Sequence, residues 1–345
     1  VPIARAVIGV RNLKIITFGP RPQDFFACNA PIKGLYELGV EIEENSELDL
    51  LVAFKEHEND PRIPEVCADM AKEMGEGKYY ADLNVKMAQF ELTLLDWAEA
   101  HKGARKYVAF ADKCWPAFPS QFGFEPCYVN SRLGSRGIPV ACEVDIYGAL
   151  SEYIGLCISN DAVTLLDINN SVPQYIYDED IKGKYDYKLT DTFMGFHCGN
   201  TPECKMCESR AVKYQLIQHR LLEPAGSEPD FTRGTLEGDI AASDITFYRL
   251  QCNSQGELVS YAAEGEILDV PTRSFGGIGI FAIKEMGRFY RHVLIEGNYP
   301  HHGAVMFGHY GKLFYEVLKL LGIDVNKIGY NQPAGVRYPT ENPWG

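Results

Sequence analysis

The first half of the chain alternates short apolar runs with segments whose apolar residues recur at helical intervals. The apolar runs predict strands at residues 13–18, 40–43, 107–111, 138–142 and 163–166. The helical spacing predicts helices at residues 31–39, 61–74, 84–101 and 145–156, the last two beginning at the caps Asn84 and Asp145. Residues 47–54 fit either type. This alternation predicts an α/β fold, with a mostly parallel sheet covered by helices.

The pattern changes in the second half of the chain. Residues 170–186 are rich in Asp, Tyr, Asn and Lys, which is typical of a loop or linker. Short β-like segments follow at residues 245–252, 257–268 and 289–295. Segments of this length and spacing predict an antiparallel barrel or sandwich.

The end of the chain completes this division into two parts. A last amphipathic helix is predicted at residues 308–321, and a Pro- and Asn-rich, irregular tail at residues 331–345. We therefore expect an α/β domain at residues 1–170. A β-rich, barrel-like C-terminal domain with a terminal helix is expected at residues 171–345.

The overall composition excludes some classes of partner. The 345 residues include 46% apolar and 23% charged side chains, as in a globular protein. The net charge of -14 and the absence of a block of Lys and Arg argue against a nucleic-acid surface. No apolar stretch approaches the length of a membrane span.

The cysteines indicate a compartment. The chain has ten, and several of them lie inside apolar patterns, namely Cys67, Cys142, Cys157 and Cys252. A free, buried cysteine behaves as a small hydrophobic residue. We therefore expect the chain in a reducing cytoplasm.

Two acidic residues end apolar runs, and a pair of histidines follows far along the chain. Glu143 follows Ile-Pro-Val-Ala-Cys, and Asp167 follows Val-Thr-Leu-Leu. Strand ends in an α/β layer are where ligand sites usually open. Two carboxylates and an imidazole form a ligand set for a divalent metal with open positions for substrate. Beside Gly303, in a predicted loop, we favour His302 as the metal ligand and His301 as a donor to a substrate oxygen.

Each of these residues also has an ordinary structural explanation. An acid at the beginning of a helix favours the helix dipole, which accounts for Glu143 or Asp167 about as well as a role in function does. Asp145 is best explained as the cap of the helix that follows it. Loop histidines such as His301 and His302 are commonly surface residues.

A second cluster of polar residues lies between the two halves of the chain. His197, Cys198 and Asn200 are followed by Cys204 and Cys207. The histidine and the three cysteines form a candidate structural zinc site, although the second half of a zinc-knuckle spacing is absent. The alternative is that His197 lines a substrate pocket and that the cysteines are simply thiols.

The remaining motifs narrow the chemistry. Trp115 follows a predicted strand, where it either stacks on a sugar face or packs in the core. The glycines at residues 276–279 lack the spacing of the dinucleotide fingerprint. The sequence contains neither the Gly-Lys-Ser/Thr of a phosphate loop nor the Gly-x-Ser-x-Gly of a serine hydrolase.

Several short segments carry a resemblance to a known group of enzymes. They are Gly19-Pro-Arg-Pro-Gln-Asp-Phe25, Cys114-Trp-Pro116, Cys142-Glu-Val-Asp145 with Tyr147-Gly-Ala149, Leu166-Asp-Ile-Asn169, Phe196-His-Cys-Gly-Asn200 and Pro300-His-His-Gly303. In these segments the chain resembles the L-fucose isomerase and L-arabinose isomerase superfamily, over nearly its whole length. Asp167 follows Glu143 by 24 residues, similar to the spacing of the metal-binding acids in fucose isomerases.

The resemblance implies an activity and a cofactor. It implies a divalent metal, usually manganese, held by Glu143, Asp167 and His302. It also implies that the two acids transfer protons while a free pentose or deoxyhexose is converted from aldose to ketose through an enediolate. Members of the superfamily form homo-oligomers, so a trimer or a hexamer is expected.

The resemblance also implies which residues contact the substrate and which domain of the superfamily the chain begins in. His197, Asn200 and Trp115 are expected to contact the open sugar chain. Members of the superfamily carry a further α/β domain before the matching part. This chain is expected to begin in their second domain, so that the first N-terminal domain is absent.

Three other functions remain open from the sequence. The same metal and acids would serve an epimerase or an aldol lyase acting on a sugar. A non-catalytic sugar-binding protein would need no Mn²⁺ and would tolerate Glu143→Gln. A structural protein stabilised by zinc at Cys198, Cys204 and Cys207 would unfold on chelation.

Overall fold

The computed structural model of the chain describes residues 1–332 and 335–337. The helices are α1 (Pro2–Val10), α2 (Lys33–Glu37), α3 (Glu47–Glu56), α4 (Ile63–Met74), α5 (Ala81–His101), α6 (Phe118–Phe122), α7 (Cys127–Ser135), α8 (Ile146–Ser159), α9 (Gln174–Ile176), α10 (Leu216–Leu222), α11 (Met286–Phe289) and α12 (Gly311–Leu320). The strands are β1 (Leu13–Phe18), β2 (Glu41–Asn45), β3 (Tyr107–Ala111), β4 (Val140–Ala141), β5 (Val163–Asn170), β6 (Thr192–His197), β7 (Ala211–Tyr214), β8 (Arg233–Asp239), β9 (Ser243–Cys252), β10 (Leu258–Ile267), β11 (Gly277–Ala282), β12 (His302–Phe307), β13 (Ile328–Gln332) and β14 (Gly335–Arg337).

The first part of the chain forms the predicted parallel sheet. Its strand order is β2-β1-β3-β4, and all three pairings are parallel. All six residues of β1 are buried, as expected of a strand covered on both faces. The α/β class is therefore confirmed for this part. The strand predicted at residues 138–142 is reduced to β4, because the chain turns into a short 3₁₀ helix at Cys142–Val144.

The second part contains a closed antiparallel barrel. Its six strands follow the order β10-β9-β12-β5-β6-β11, and β11 pairs with β10 to close it. β8 extends the sheet beside β11, and β13 extends it beside β10. The barrel predicted for the C-terminal part is confirmed. Closure leaves the six strands with few free edges, which stabilises an all-antiparallel sheet of this size.

One strand belongs to a different sheet from the one predicted. β5 does not extend the parallel sheet, because it pairs with β6 and β12 in the barrel. Its apolar run is buried on both faces, and such a run has the same pattern in a parallel sheet and in a barrel wall. β5 ends at Asn170, and the domain boundary placed after this residue stays a prediction.

Three further predictions of local structure were wrong. Residues 289–295 form the end of α11 and a turn of π-helix instead of a strand, with Phe289, Val293 and Leu294 buried on one face. Asn84 does not cap α5, which begins at Ala81. His302 is not in a loop, because it is the first residue of β12.

The end of the chain is partly strand. The predicted irregular tail overlaps β13 and includes β14. Its residues 333–334 and 338–345 lie outside the described residues. Among the helices that the structure describes, none has the length and apolar character needed to cross a membrane. All ten cysteines are free thiols.

Helix α8 joins the two sheets. It packs against β3 and β4 of the parallel sheet and against β5, β9 and β12 of the barrel. Its N-cap is Asp145, whose side chain accepts a hydrogen bond from Gly148 N at 2.8 Å, as predicted. Burial on both sides explains why almost every residue of α8 is buried. The position of this helix fixes the segment just before it relative to the barrel.

Gly155 provides a test of this packing. A methyl group there would collide with Tyr248 Oη and crowd Met306 Cγ, because α8 lies close to β9 and β12. Tyr248 is fully buried and its hydroxyl donates to Ser151 O, so its ring has no room to move. We expect Gly155→Ala to lower the free energy of unfolding by about 1–3 kcal/mol in urea denaturation.

The matched control is Gly287→Ala. The nearest atoms to its added methyl group lie at ordinary contact distance, 3.5 Å from Thr190 O. This variant should be close to wild type in stability. Equal stability of the two variants would mean that α8 is not tightly packed on the barrel.

Candidate functional site

Side chains from both sheets meet at one end of the barrel. β5 and β12 are antiparallel neighbours, and their register places Asp167 directly opposite His302. β6 lies on the other side of β5 and ends at His197, the residue after the Phe196 that pairs with Asp167. Glu143 reaches the same place from the turn after β4. The fold thus brings together four residues that are far apart in the sequence.

The atoms that converge are those that could bind a metal. One ligand atom from each of Glu143, Asp167, His197 and His302 lies within 4.8 Å of all the others. His302 Nε2 lies 2.7 Å from Glu143 Oε2 and 3.0 Å from Asp167 Oδ1. The four inward-facing atoms are buried and, apart from these close contacts within the cluster, none has a hydrogen-bond partner. Buried polar atoms are normally hydrogen-bonded, so such a set requires an explanation.

The backbone at Glu143 is strained. Glu143 and Val144 have φ angles of 61° and 53°, in the left-handed region that non-glycine residues rarely adopt. A β-branched residue such as Val144 is especially unfavourable there. The turn is held by Asp112, whose carbonyl accepts from Val144 N at 2.8 Å. Strain of this kind is typical of functional sites, and here it directs the Glu143 side chain towards the barrel.

His302 has a carboxylate on each side of its ring. Its Nδ1 lies 2.8 Å from Asp145 Oδ2, opposite the Nε2 that faces Glu143 and Asp167. Asp145 is also paired with Arg249 at 2.7 Å, and both residues are buried. Burial would raise the pKa of the Asp145 carboxyl, but Arg249 and His302 outweigh it and hold this pKa far below its ordinary value. Since a carboxylate only accepts hydrogen bonds, Nδ1 of His302 donates to Asp145. Burial would lower the pKa of this imidazole, but the acidic groups around it raise its pKa well above the ordinary value, so Nε2 also donates, towards Glu143 and Asp167. A bound cation would take the place of the Nε2 proton.

His197 has the opposite arrangement. Cys198 N donates to His197 Nδ1 at 3.0 Å. A neutral imidazole that accepts at Nδ1 carries its proton at Nε2. His197 therefore presents an N–H group to the cluster, and its other nitrogen is occupied by Cys198 N. His302 differs, because its Nδ1 donates to Asp145 and its Nε2 becomes available to a ligand once the Nε2 proton is displaced.

The environment of Asp167 favours its charged form. Burial would raise the pKa of this carboxyl, but the imidazoles of His302, His197 and His301 lower it below the ordinary value. His301 lies at the rim, with Nε2 3.6 Å from Asp167 Oδ1. Burial and the neighbouring His302 lower the pKa of His301, so its ring is held in the neutral form.

The other predicted contact residues lie nearby but outside the cluster. Trp115 lines a cavity of about 800 Å³ whose wall also includes Cys28, Lys113 and Val144. Val144 adjoins Glu143, so the cavity lies beside the cluster. Asn200 is buried, and its Nδ2 donates to Val140 O at 3.5 Å while its Oδ1 has no partner.

The zinc hypothesis finds no support. Within the part of the chain that the structure describes, no group of three potential metal ligands includes Cys204 or Cys207. Cys204 is exposed, and Cys198 Sγ accepts from Gln215 Nε2 at 3.0 Å.

The sequence does not predict the contacts of His302 with Asp145 and, through it, with Arg249. The pattern predicts Asp145 as a helix cap and assigns no role to Arg249. The one available signal was a charged residue at 249 inside the apolar segment Ile-Thr-Phe-Tyr-Arg-Leu-Gln-Cys. A buried arginine must be paired, which would have directed attention to an acid elsewhere in the chain. Cys28, with Sγ 3.6 Å from His302 Nδ1, was missed for lack of any pattern.

The donor set fits a divalent cation. Glu143 and Asp167 would supply carboxylate oxygens, and His302 would supply Nε2 of an imidazole whose other nitrogen donates to Asp145. A ligating histidine that donates to a carboxylate is a common feature of metal sites. Oxygen and nitrogen ligands in this proportion suit first-row divalent metals such as manganese.

Comparison with known proteins supports the resemblance found in the sequence. A family model described as "L-fucose isomerase, C-terminal domain" matches residues 195–329. Proteins named sulfoquinovose isomerase align with nearly the whole chain, so the match extends over both sheets. The predicted resemblance to the L-fucose isomerase and L-arabinose isomerase superfamily is thereby confirmed.

The relatives that align with this chain are distant and longer. The sulfoquinovose isomerase of Alkalicoccus urumqiensis is 25% identical over 337 residues, covering 92% of this chain and 66% of the relative. That of Priestia megaterium (strain ATCC 12872 / QMB1551) is 25% identical over 331 residues, with 93% and 66% covered. That of Clostridium sp. (strain MSTE9) is 28% identical over 174 residues, with 47% and 37% covered. The chain thus spans 66% of the length of the first two relatives.

The buried acid that supports the Glu143 turn makes stability depend on pH. Burial raises the pKa of Asp112 to about 7, despite hydrogen bonds from Asn130. In the unfolded chain this carboxyl titrates near 4, so the folded state binds the proton more tightly. The stabilisation is complete below about pH 4 and is lost as the pH rises to about 7. In Asp112→Asn this loss is absent.

Between pH 4 and pH 8 we expect wild type to lose about 2–4 kcal/mol of stability relative to Asp112→Asn. Urea unfolding at a series of pH values measures it. The exposed Asp244→Asn is the control and should leave the pH profile of the wild type unchanged. A constant difference between wild type and Asp112→Asn would show that Asp112 is ionised throughout.

Proposed function

We propose that the chain is a metal-dependent aldose–ketose isomerase that acts on a free pentose or deoxyhexose through an enediolate intermediate. The observation that supports it best is the convergence of buried atoms of Glu143, Asp167 and His302 within 4.8 Å, with no hydrogen-bond partner outside the cluster. The similarity to the L-fucose isomerase C-terminal domain and to the sulfoquinovose isomerases supports the same reaction type. From the same similarity, we expect a homo-oligomer, a trimer or a hexamer.

Glu143, Asp167 and His302 would hold the cation, for which we propose Mn²⁺. When bound, it would supply Lewis-acid stabilisation of the negative charge that develops on two neighbouring substrate oxygens. The remaining chemistry is a matter of the chain's own acids and hydrogen-bond donors. These are fixed by the register of β5 and β12 and by the strained turn at Glu143.

The reaction moves two protons. The proton on C2 of the open-chain aldose is removed and a proton is added at C1, while the hydroxyl proton on O2 is transferred to O1. A carbon-bound proton beside a carbonyl is weakly acidic, so a positioned base is needed. Glu143 and Asp167 are the two carboxylates at the site, and we assign them as the proton-transfer pair. The histidines around Asp167 keep it ionised and ready to accept a proton.

His197 would bind substrate rather than metal. Because its Nδ1 accepts from Cys198 N, its Nε2 is a donor that faces the carboxylates. A donor in this position can hydrogen-bond the substrate oxygen on which charge develops. His301, neutral and at the rim, can bind a second oxygen. Both roles agree with the substrate contacts expected from the sequence.

The cavity beside the cluster would accommodate the rest of the sugar. Its volume of about 800 Å³ exceeds what a pentose or hexose needs, and it is lined by polar side chains and by Trp115. An indole can stack on the apolar face of a sugar. Asn200, whose Oδ1 has no partner, is the candidate for a further hydroxyl contact. The relatives named sulfoquinovose isomerase add a specific compound to those worth testing, since sulfoquinovose is itself a deoxyhexose that carries a sulfonate.

Incubation with a panel of sugars tests the reaction type. We expect the purified chain to convert at least one of L-fucose, L-arabinose, related aldoses and sulfoquinovose to its ketose when Mn²⁺ is present. After removal of the metal with EDTA the rate should fall by at least about 10²-fold and recover on adding Mn²⁺. Product analysis separates the reaction types. A ketose indicates an isomerase, an epimer of the substrate indicates an epimerase, and two shorter carbonyl compounds indicate an aldol lyase.

Substitution of the two acids tests their roles. We expect Asp167→Asn and Glu143→Gln each to lower kcat by at least about 10³-fold without changing the unfolding midpoint by more than a few degrees. The control is Asp178→Asn, at an exposed position where the side chain contacts Gln174 and Lys182, which should keep wild-type activity. Full activity of Asp167→Asn would remove Asp167 from the mechanism. If the wild type bound a sugar but did not convert it, a sugar-binding protein would be favoured.

A further inference from the structure

We propose that Asp145 and Arg249 act as a positioning pair that fixes the ring of His302, so that Nδ1 donates to Asp145 and Nε2 faces the metal position. This inference rests on the proposed function, because it concerns the affinity of the same site for its cation. Neither residue faces the cluster directly, so the pair would act only through His302.

The pair holds His302 at two points. Arg249 Nη1 and Nη2 donate to Asp145 Oδ2 and Oδ1 at 2.8 and 2.7 Å, a bidentate arrangement. Asp145 Oδ2 is also the atom that accepts from His302 Nδ1 at 2.8 Å. In addition, Arg249 Nη1 lies 3.5 Å from the backbone oxygen of His302. Both the ring and the main chain of the histidine are therefore tied to the same guanidinium.

The orientation of Asp145 is itself fixed by contacts with helix α8 and with strand β9. Its Oδ1 accepts from Gly148 N in the first turn of α8, and a methyl group at Gly148 would collide with it. Arg249 comes from β9 of the barrel, and its Nε donates to Gln251 Oε1 at 2.8 Å. The carboxylate thus has no freedom to rotate away from His302. A bidentate arginine pair gives this kind of geometric definition.

Stability alone does not account for a fully buried ion pair here. Removing two charges from water costs about as much as their attraction returns, and well-packed apolar residues often do better. The chain contains a comparable pair far from the cluster, in which Arg132 Nε donates to Glu91 Oε2 at 2.6 Å, also buried. That pair touches no candidate ligand. The difference between the two pairs is the contact of Asp145 with His302.

The chemistry predicts what loss of the carboxylate would do. A neutral imidazole has two tautomers, and only an acceptor at Nδ1 selects the one with a free Nε2. In Asp145→Asn the side-chain amide can present an N–H to Nδ1, which favours the proton on Nε2. The ring would then present a donor to the cation, as His197 does. Partners of this kind typically change metal affinity by about 10–100-fold.

The test is the affinity for Mn²⁺, measured by isothermal titration and by the EPR signal of free Mn²⁺, with thermal unfolding of the metal-free protein measured in parallel. We expect Asp145→Asn to bind Mn²⁺ about 10–100-fold more weakly than wild type. The matched control is Glu91→Gln, which breaks the other buried pair and should lower the unfolding midpoint while leaving Mn²⁺ affinity unchanged.

Arg249→Lys decides the outcome if Asp145→Asn does not fold. It keeps a cation beside Asp145 but loses the bidentate contact, and it should weaken Mn²⁺ binding by a smaller factor, at least about 3-fold. Wild-type Mn²⁺ affinity in a folded Asp145→Asn or Arg249→Lys variant would overturn the positioning role and leave the metal site standing. Failure of the wild type itself to bind Mn²⁺ would overturn the proposed metal site, and the inference with it.

Discussion

The register between two antiparallel strands is the constraint on which the site depends. β5 and β12 pair so that Asp167 lies directly opposite His302, which places their side chains about 4.5–5.5 Å apart at Cβ. A slip by one residue would turn either side chain to the other face of the barrel. Because the barrel is closed through β10 and β11, this register is held by all six strands. Asp167 and His302 are therefore positioned by the wall of the barrel, whereas Glu143 reaches them from the turn after β4.

The electrostatic cost of the site is met by its surroundings. Two buried carboxylates repel one another unless cations or donors lie between them. Three imidazoles surround Asp167, and Arg249 neutralises Asp145 behind His302. The strained turn at Glu143 costs further free energy, which the packing of α8 between the sheets must offset. The arrangement thus lowers the stability of the folded chain and is suited to holding a cation.

The sequence could predict the kinds of element and the candidate chemistry, but not their connections. The alternation of apolar runs and helices in the first half was enough to predict a parallel sheet, and the short β segments were enough to predict a barrel. The pattern could not place β5 in the barrel, because a buried apolar run is alike in both sheets. The segment at 289–295 is helical because burial, rather than β-branched composition, decides its conformation. The pattern of apolar and polar positions does not contain the strand register or the hydrogen bonds between side chains. It therefore could not predict the Asp145–Arg249 pair.

The central claim is that Glu143, Asp167 and His302 meet on one cation. Crystals of the chain grown with Mn²⁺ and measured at the manganese absorption edge would locate the ion directly by its anomalous scattering. The account predicts one strong peak about 2.0–2.4 Å from a carboxylate oxygen of Glu143 and of Asp167 and from Nε2 of His302. A peak elsewhere, or no peak in crystals soaked with millimolar Mn²⁺, would contradict it.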